Sequence, residues 1–347
     1  MKNNLKTTEL LRTLGLAEQR ESPFNVEKIA PNEAIGRVVV HHGNHAEVAL
    51  ISPENLAFET VRLSPHLADT PVSGDWIIAR KGVLEKIAPR YTELSRPAAS
   101  GVGSQAMAVN IDTVLLVISI EKPPSLKAIE KLLIMGWDSG ATPVLVLSKT
   151  DLCTNVQEEL ERVEALSMGV KTICCSTEAG EGLAEISSLV SSGTTTMLGA
   201  SGAGKTSLLN ALEGTQAATS SVRRDGQGRH TTTTRKLYLL RGGGVILDVP
   251  GIRSLTVGAS TNAVDETFSD IVELAQECRY ADCKHRGDLG CAVQAAVDDG
   301  ALPARRLESW HTVQRELAYQ RRKNSPRAMA EQKKAWKQLT KSSRQRS

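Results

Sequence analysis

The sequence predicts a multidomain chain: a small β-barrel, then a parallel α/β domain around a phosphate-binding loop, then a helical metal-binding module. Three observations predict it. Short β-like runs separated by turns fill residues 36–79, the pattern of a small barrel. Strand-like and helix-like segments then alternate up to Gly199-Ala200-Ser201-Gly202-Ala203-Gly204-Lys205-Thr206, which fits G-x-x-x-x-G-K-[S/T]. Later, Cys278, Cys283, His285 and Cys291 crowd into 14 residues.

At 347 residues the chain exceeds one ordinary domain. Limits are expected at 1–95, 96–260 and 261–347. With 40% hydrophobic and 23% charged residues, the composition is that of a soluble globular protein. No basic segment followed by an apolar core opens the chain, so no signal peptide is expected. The longest apolar run, residues 114–120, is too short to span a bilayer. Six scattered or late-clustered cysteines suit a reducing compartment. Aromatics are only 3%, which limits any base-stacking surface. Net charge is +3, but residues 305–347 hold 13 Lys/Arg against 3 Asp/Glu. A basic tail on an acidic body points to a polyanionic partner.

In chain order, Leu10, Leu11 and Leu14 share one face of a short amphipathic arm. Residues 36–50 read as two strands around a Gly43-Asn44 turn, with further strands at 58–63 and 75–79. This suggests an OB-fold. His41, His42 and His45 surround the turn without a cysteine or carboxylate pattern, so they read as solvated surface. Residues 90–109 turn to Ser, Ala and Gly and read as a linker or domain boundary. Strands at 113–120, 144–147, 172–175 and 194–198 alternate with helices at 125–136, 156–167 and 183–190, and a helix starts at 207–213. That alternation means a parallel sheet. Residues 220–234 lack any hydrophobic period and suit a mobile segment. Strands at 235–240 and 244–247 follow, then helical patterns from 264 onward, broken at 278–291.

The glycines let backbone N–H groups of residues 199–204 fold round a phosphate at a helix N-terminus, beside Ser207. Lys205 would reach the β- and γ-phosphates, and Thr206 would ligate Mg²⁺. Asp248-x-Pro250-Gly251 has the D-x-x-G form: Asp248 for Mg²⁺ through water, the Gly251 N–H for the γ-phosphate. Lys149-x-Asp151 has the form of guanine recognition. A carboxylate accepts from the guanine N1–H and exocyclic amine, which adenine does not offer, while the lysine stem covers the base. Ser148 and Thr150 flank that pair, and Ser176-Thr177 at the next strand end resembles an element contacting guanine O6. A phosphate-loop ATPase or kinase is disfavoured by Lys149-x-Asp151. A nucleotide-gated RNA-binding protein with negligible turnover stays open. Cys278-x4-Cys283-x-His285-x5-Cys291 offers three thiolates and an imidazole, enough for a closed, structural Zn²⁺ site.

The base motif lies about 50 residues before the phosphate loop, the reverse of the usual order. This order, with Gly228-Arg229-His230-Thr231-Thr232-Thr233, resembles the circularly permuted GTPases of the small ribosomal subunit biogenesis (RsgA) family. The resemblance covers nearly the whole chain. It implies a cytoplasmic, monomeric GTPase that binds GTP and GDP, the small ribosomal subunit and its rRNA, and hydrolyses GTP late in subunit assembly. It implies that His230 orients the attacking water, since Ile252 stands where many GTPases place glutamine. One of Thr231, Thr232, Thr233 and Thr234 would ligate Mg²⁺. It also strengthens the zinc assignment. The family carries Asn where this chain has Ser148, whose shorter side chain offers one hydroxyl to the tie between base pocket and phosphate loop. Reduced nucleotide affinity is expected.

Overall fold

The computed structural model describes residues 2–51, 56–97, 104–167, 169–213, 236–240, 243–248 and 260–324. His230, the threonines 231–234, Gly251 and the tail from 325 on lie outside them. The chain forms two compact units: residues 1–95 with 106–255, and residues 96–105 with 256–347.

In the first unit, β1 (Glu33–His42), β2 (His45–Ile51), β3 (Leu56–Leu63), β4 (Trp76–Arg80) and β5 (Val83–Ile87) close into a barrel in the order β1-β2-β3-β5-β4. Only β3 and β5 run parallel. This is the OB-type barrel that the sequence predicts, with five strands where the sequence reading has four. Val38, Val48, Val61, Ile77 and Leu84 fill it. His42 pairs with His45 across the Gly43-Asn44 turn. His41 and His45 are half-exposed and His42 exposed, outside the one metal-competent group among the described residues. The sequence reading misses β5. Its signal is the two-residue turn Lys81-Gly82, both left-handed (φ 49° and 73°), the geometry that favours tight hairpins.

A six-stranded sheet follows in the order β10-β9-β8-β11-β13-β12. Its strands are β8 (Thr113–Ser119), β9 (Thr142–Ser148), β10 (Thr172–Cys175), β11 (Thr194–Leu198), β12 (Lys236–Leu239) and β13 (Val245–Asp248). All neighbours are parallel except β12 against β13. Val114, Leu115, Leu116 and Val117 are completely buried. Unbroken burial is why these strands read as continuous apolar runs. Helices α2 (Leu126–Asp138), α3 (Val156–Glu164), α4 (Leu183–Val190) and α5 (Lys205–Glu213) are the crossovers and the phosphate-loop helix.

Arm, barrel and sheet meet at Arg37, which is completely buried. Its guanidinium donates to the carbonyls of Leu14, Gly74 and Asn110 and to the Thr194 hydroxyl. It also stacks over Trp76, 4.7 Å from the ring centroid. Only the planar five-donor fork can serve four acceptors from four segments. Burial pulls the Arg37 pKa down to about 10, still charged at neutral pH. Leu11, within α1 (Lys2–Thr13), and Leu14, just after it, are fully buried.

Residues 90–109 are more than a linker. Strands β6 (Glu93–Pro97) and β7 (Ser104–Val109) pair with each other, and Asn110 just beyond is fully buried. The small residues between the two strands, 98–103, lie outside the described residues.

In the second unit, α6 (Thr261–Thr267), α7 (Ser269–Gln276), α8 (Ala292–Asp298) and α9 (Ala304–Asn324) bury Val264, Phe268, Ile271, Val293 and Leu317. Arg306 on α9 is 3% exposed, donates to both Asp270 oxygens and the Thr267 carbonyl, and lies over Phe268.

Candidate functional site

Parallel register brings the nucleotide motifs to one edge. Ser119, Ser148 and Cys175 end neighbouring strands in register, and Leu198 ends β11 beside Leu116 of β8. Among the described residues the base motif and the phosphate loop therefore step off carboxyl strand ends, the edge where α/β sheets bind ligands.

The loop leaves β11 at Gly199, whose φ of 153° suits only glycine and where a β-carbon would meet the Val117 carbonyl oxygen at 2.2 Å. Gly202 and Gly204 have φ of 81° and 89°. Ala200, Ser201 and Gly202 are on the surface, Ala203 is buried, and Lys205 opens α5, with Thr206 and Ser207 exposed in its first turn. The Lys205 ammonium donates to the carbonyls of Gly199 and Ala200, each at 2.8 Å. Desolvation pulls its pKa down, and the Asp248 carboxylate at the end of β13 opposes that shift.

The base-motif residues gather beside it. Ser176, completely buried, donates to Asp151 Oδ1 at 2.6 Å and fixes that carboxylate. The Ala179 N–H donates back to Ser176 Oγ at 3.0 Å. Thr150 donates to Glu181 Oε2 at 3.5 Å. Lys149 is held in a left-handed conformation, φ 62°, uncommon for a residue with a side chain. Ser148 Oγ donates to the Ala203 carbonyl at 2.6 Å. The hydroxyl thus ties base motif to phosphate loop by itself. One cleft runs from Ser148, Lys149 and Asp151 past Thr177 to Gly204 and Ser207. Cys175 also lines it, and burial pushes its thiol up to about 11, keeping it protonated. Of the sequence-predicted residues, only His230, the threonines 231–234 and Gly251 fall outside the described set.

The second cluster lies between α7 and α8. The donor atoms of Cys278, Cys283, His285 and Cys291 all lie within 4.8 Å of one another. Zn–S near 2.3 Å and Zn–N near 2.0–2.1 Å in a tetrahedron give edges of about 3.8 Å for S···S and about 3.5 Å for S···N. Cys278 and Cys291 sulfurs are 3.9 Å apart, and His285 Nδ1 is 3.6 and 3.4 Å from them. These three edges match that tetrahedron, and with Cys283 within 4.8 Å the four donors are compatible with one structural Zn²⁺. Burial lowers the His285 pKa, favouring the neutral imidazole that ligates metal. The His285 carbonyl is hydrogen-bonded to His311 Nε2 at 3.1 Å, and Trp310 packs edge-on to its ring. Asp288 Oδ2 accepts from the Lys284 and Arg286 N–H groups, bracing the ligand loop. Sequence reading missed Asp288 and His311; only the x-x-x-Asp spacing after Lys284 hints at the brace.

A family model described as RsgA GTPase matches residues 87–258. The small ribosomal subunit biogenesis GTPase RsgA of Streptomyces coelicolor is 39% identical over 327 residues, covering 91% of this chain and 88% of that protein. The small ribosomal subunit biogenesis GTPase RsgA 2 of Lactiplantibacillus plantarum is 38% identical over 299 residues, 83% and 84% of the two chains. Among solved structures, YjeQ from Thermotoga maritima superposes with a TM-score of 0.61 at 25% identity, covering 82% of this chain and 99% of that one. Among the described residues no helix is long and apolar enough to cross a membrane. Identity and coverage of this extent, on a sheet whose base motif precedes its phosphate loop, place this chain in the RsgA family of circularly permuted GTPases.

Proposed function

We propose that the chain binds the small ribosomal subunit in the cytoplasm, as a monomer, and hydrolyses GTP during late maturation of that subunit. Barrel (1–95), GTPase (96–260) and zinc (261–347) domains would divide the work. The observation that carries the reading is the meeting, at one sheet edge, of the phosphate loop and an Asp151 carboxylate held by Ser176. Support for the partner comes from relatives named for small ribosomal subunit biogenesis.

Residue by residue, Asp151 accepts from guanine N1–H and its exocyclic amine, and the Lys149 stem covers the base. Ser148, Thr150, Ser176 and Thr177 shape the base pocket. Residues 199–204 and Ser207 cradle the phosphates with backbone and hydroxyl donors. Lys205 leaves its loop carbonyls to pair with the β- and γ-phosphates. Thr206 and Asp248 are hard oxygen donors suited to Mg²⁺, with one of Thr231–Thr234 joining them. Bound Mg²⁺ supplies charge neutralisation on the phosphates. The Gly251 N–H reads the γ-phosphate. His230 orients the attacking water. Cys278, Cys283, His285 and Cys291 hold one Zn²⁺ that folds the last domain.

GTP turnover measured alone, with small subunits and with large subunits tests the reading. Turnover should rise with small subunits only; equal turnover in all three removes the partner assignment. His230→Ala should keep GTP affinity and lower the stimulated rate by about a hundredfold. Lost affinity with normal turnover would give His230 a binding role instead.

A further inference from the structure

The base-reading loop holds a contact that none of the nucleotide motifs contains. Ser119 of β8 pairs with Ser148 of β9, and the Ile120 N–H donates to the Ser148 carbonyl at 3.0 Å. The chain past β8 is thereby laid beside the chain past β9. Two residues beyond Ser119 stands Glu121; one beyond Ser148 stands Lys149. Glu121 Oε2 accepts from Lys149 Nζ at 2.9 Å, with the two side chains 45% and 33% exposed. The lysine ammonium holds the Glu121 carboxyl below its usual range. Both line a recess whose other wall is the phosphate loop, Ala200 to Ala203.

We propose that Glu121 is a positioning residue for nucleotide binding, acting through Lys149. The inference rests on the guanine reading of Lys149 and Asp151 given above. A lysine stem covers a base only if its end is held, because four rotatable bonds otherwise scatter it. The backbone at Lys149 already takes an uncommon left-handed turn, which sets where the stem starts. Glu121 sets where it ends. With both ends fixed, less side-chain entropy is lost when a base arrives.

Its chemistry separates it from Asp151. Asp151 reads the base edge, so its loss changes the preference for guanine over other bases. Glu121 holds a stem that lies on a π-face, and every purine has one. Its loss should weaken guanine and hypoxanthine nucleotides by the same factor.

The test is release of fluorescently labelled GDP and IDP from the full chain, comparing wild type, Glu121→Gln, Lys149→Ala and the double variant. Glu121→Gln should release GDP about two- to fivefold faster at low salt, the scale of a half-exposed ion pair. The GDP-to-IDP ratio should stay unchanged. The gap to wild type should close at high salt, where the pair is screened. Adding Glu121→Gln to Lys149→Ala should change nothing more. A wild-type release rate for Glu121→Gln overturns the proposal. Slower release does too, for then Glu121 holds the lysine off the base. If Lys149→Ala itself releases GDP normally, the base-pocket reading falls first and this inference with it.

Discussion

The nucleotide edge and the cysteine–histidine loop are both built from loops, but different forces hold them. At the edge, each loop steps off a strand of the buried sheet; Val117, Leu147 and Leu198 are at most 2% exposed. Register places the motifs before any side chain in them makes a bond. Ser148, Ser176 and Lys149 only trim the result. Between α7 and α8 the reverse holds. Residues 279–290 contain no strand or helix, and most are exposed. Of the four donors, only His285 and Cys291 are buried. Beyond the Asp288 brace and the His311 bond, a metal on the four donors would hold this loop. Site geometry on a sheet is inherited from the fold, whereas in the loop it makes the fold.

The largest break in that comparison should come from the metal. Stripping Zn²⁺ with a chelator, or Cys283→Ser, should abolish cooperative unfolding of the second unit, because structural zinc binding energy is folding energy. GDP binding by the first unit should persist. Metal analysis of the purified chain should give about one Zn per molecule, the occupancy of a single four-ligand site. A metal-free chain with an unchanged melting profile would remove the zinc assignment and the contrast together.

Lys205→Ala tests the other side. The edge should stay folded, with a melting temperature near that of wild type, because Lys205 lies outside the sheet core. Turnover should fall by about a hundredfold or more, as when a charged donor is lost from a phosphate or oxyanion site. A large drop in melting temperature would instead show that the lysine's bonds to Gly199 and Ala200 hold the loop together.

Much of both sites was legible because motif residues need local surroundings that leave their own mark. The strands at 172–175 and 194–198 and the helix at 183–190 lie where the apolar runs placed them. The phosphate loop declared itself through glycines that no other residue can replace, Gly199 above all. What stayed hidden depends on distant partners. Nothing local marks Arg37 as buried: it sits in Gly36-Arg37-Val38 and looks like any polar strand residue until four acceptors from elsewhere surround it. Asp112 is similar, joining Arg20, Tyr91 and the Thr194 N–H across 82 residues or more of chain in two of these bonds. Glu121 escaped because its role arises from register between β8 and β9. The hairpin of β6 and β7 read as a linker because its small residues carry little apolar pattern. Residues 96–105 group with the second unit and their sequence neighbours with the first, a division that a linear reading does not contain.

The smallest expected effect is at Ser148. The family pattern puts an amide here, and the shorter hydroxyl suggests a weaker tie between base motif and phosphate loop. In the structure the hydroxyl reaches the Ala203 carbonyl unaided, at 2.6 Å. It can do so because the two segments lie close: a β-carbon added at Gly204 would sit 3.7 Å from Ser148. Ser148→Ala deletes one neutral hydrogen bond at a site 7% exposed, which costs about 0.5–1.5 kcal/mol. If that energy is felt only in the nucleotide-bound loop, GDP affinity falls by about two- to tenfold. Ser148→Asn adds a donor but must fit its larger side chain beside Gly204. Gain and crowding oppose each other, so affinity should stay within about twofold of wild type, as in tolerated volume changes. Titration of labelled GDP against the three proteins, with melting curves alongside, decides the point. Should Ser148→Ala melt the first unit as chelation melts the second, register would not suffice to hold the edge. The sheet would then need its side-chain ties as much as the loop needs its metal.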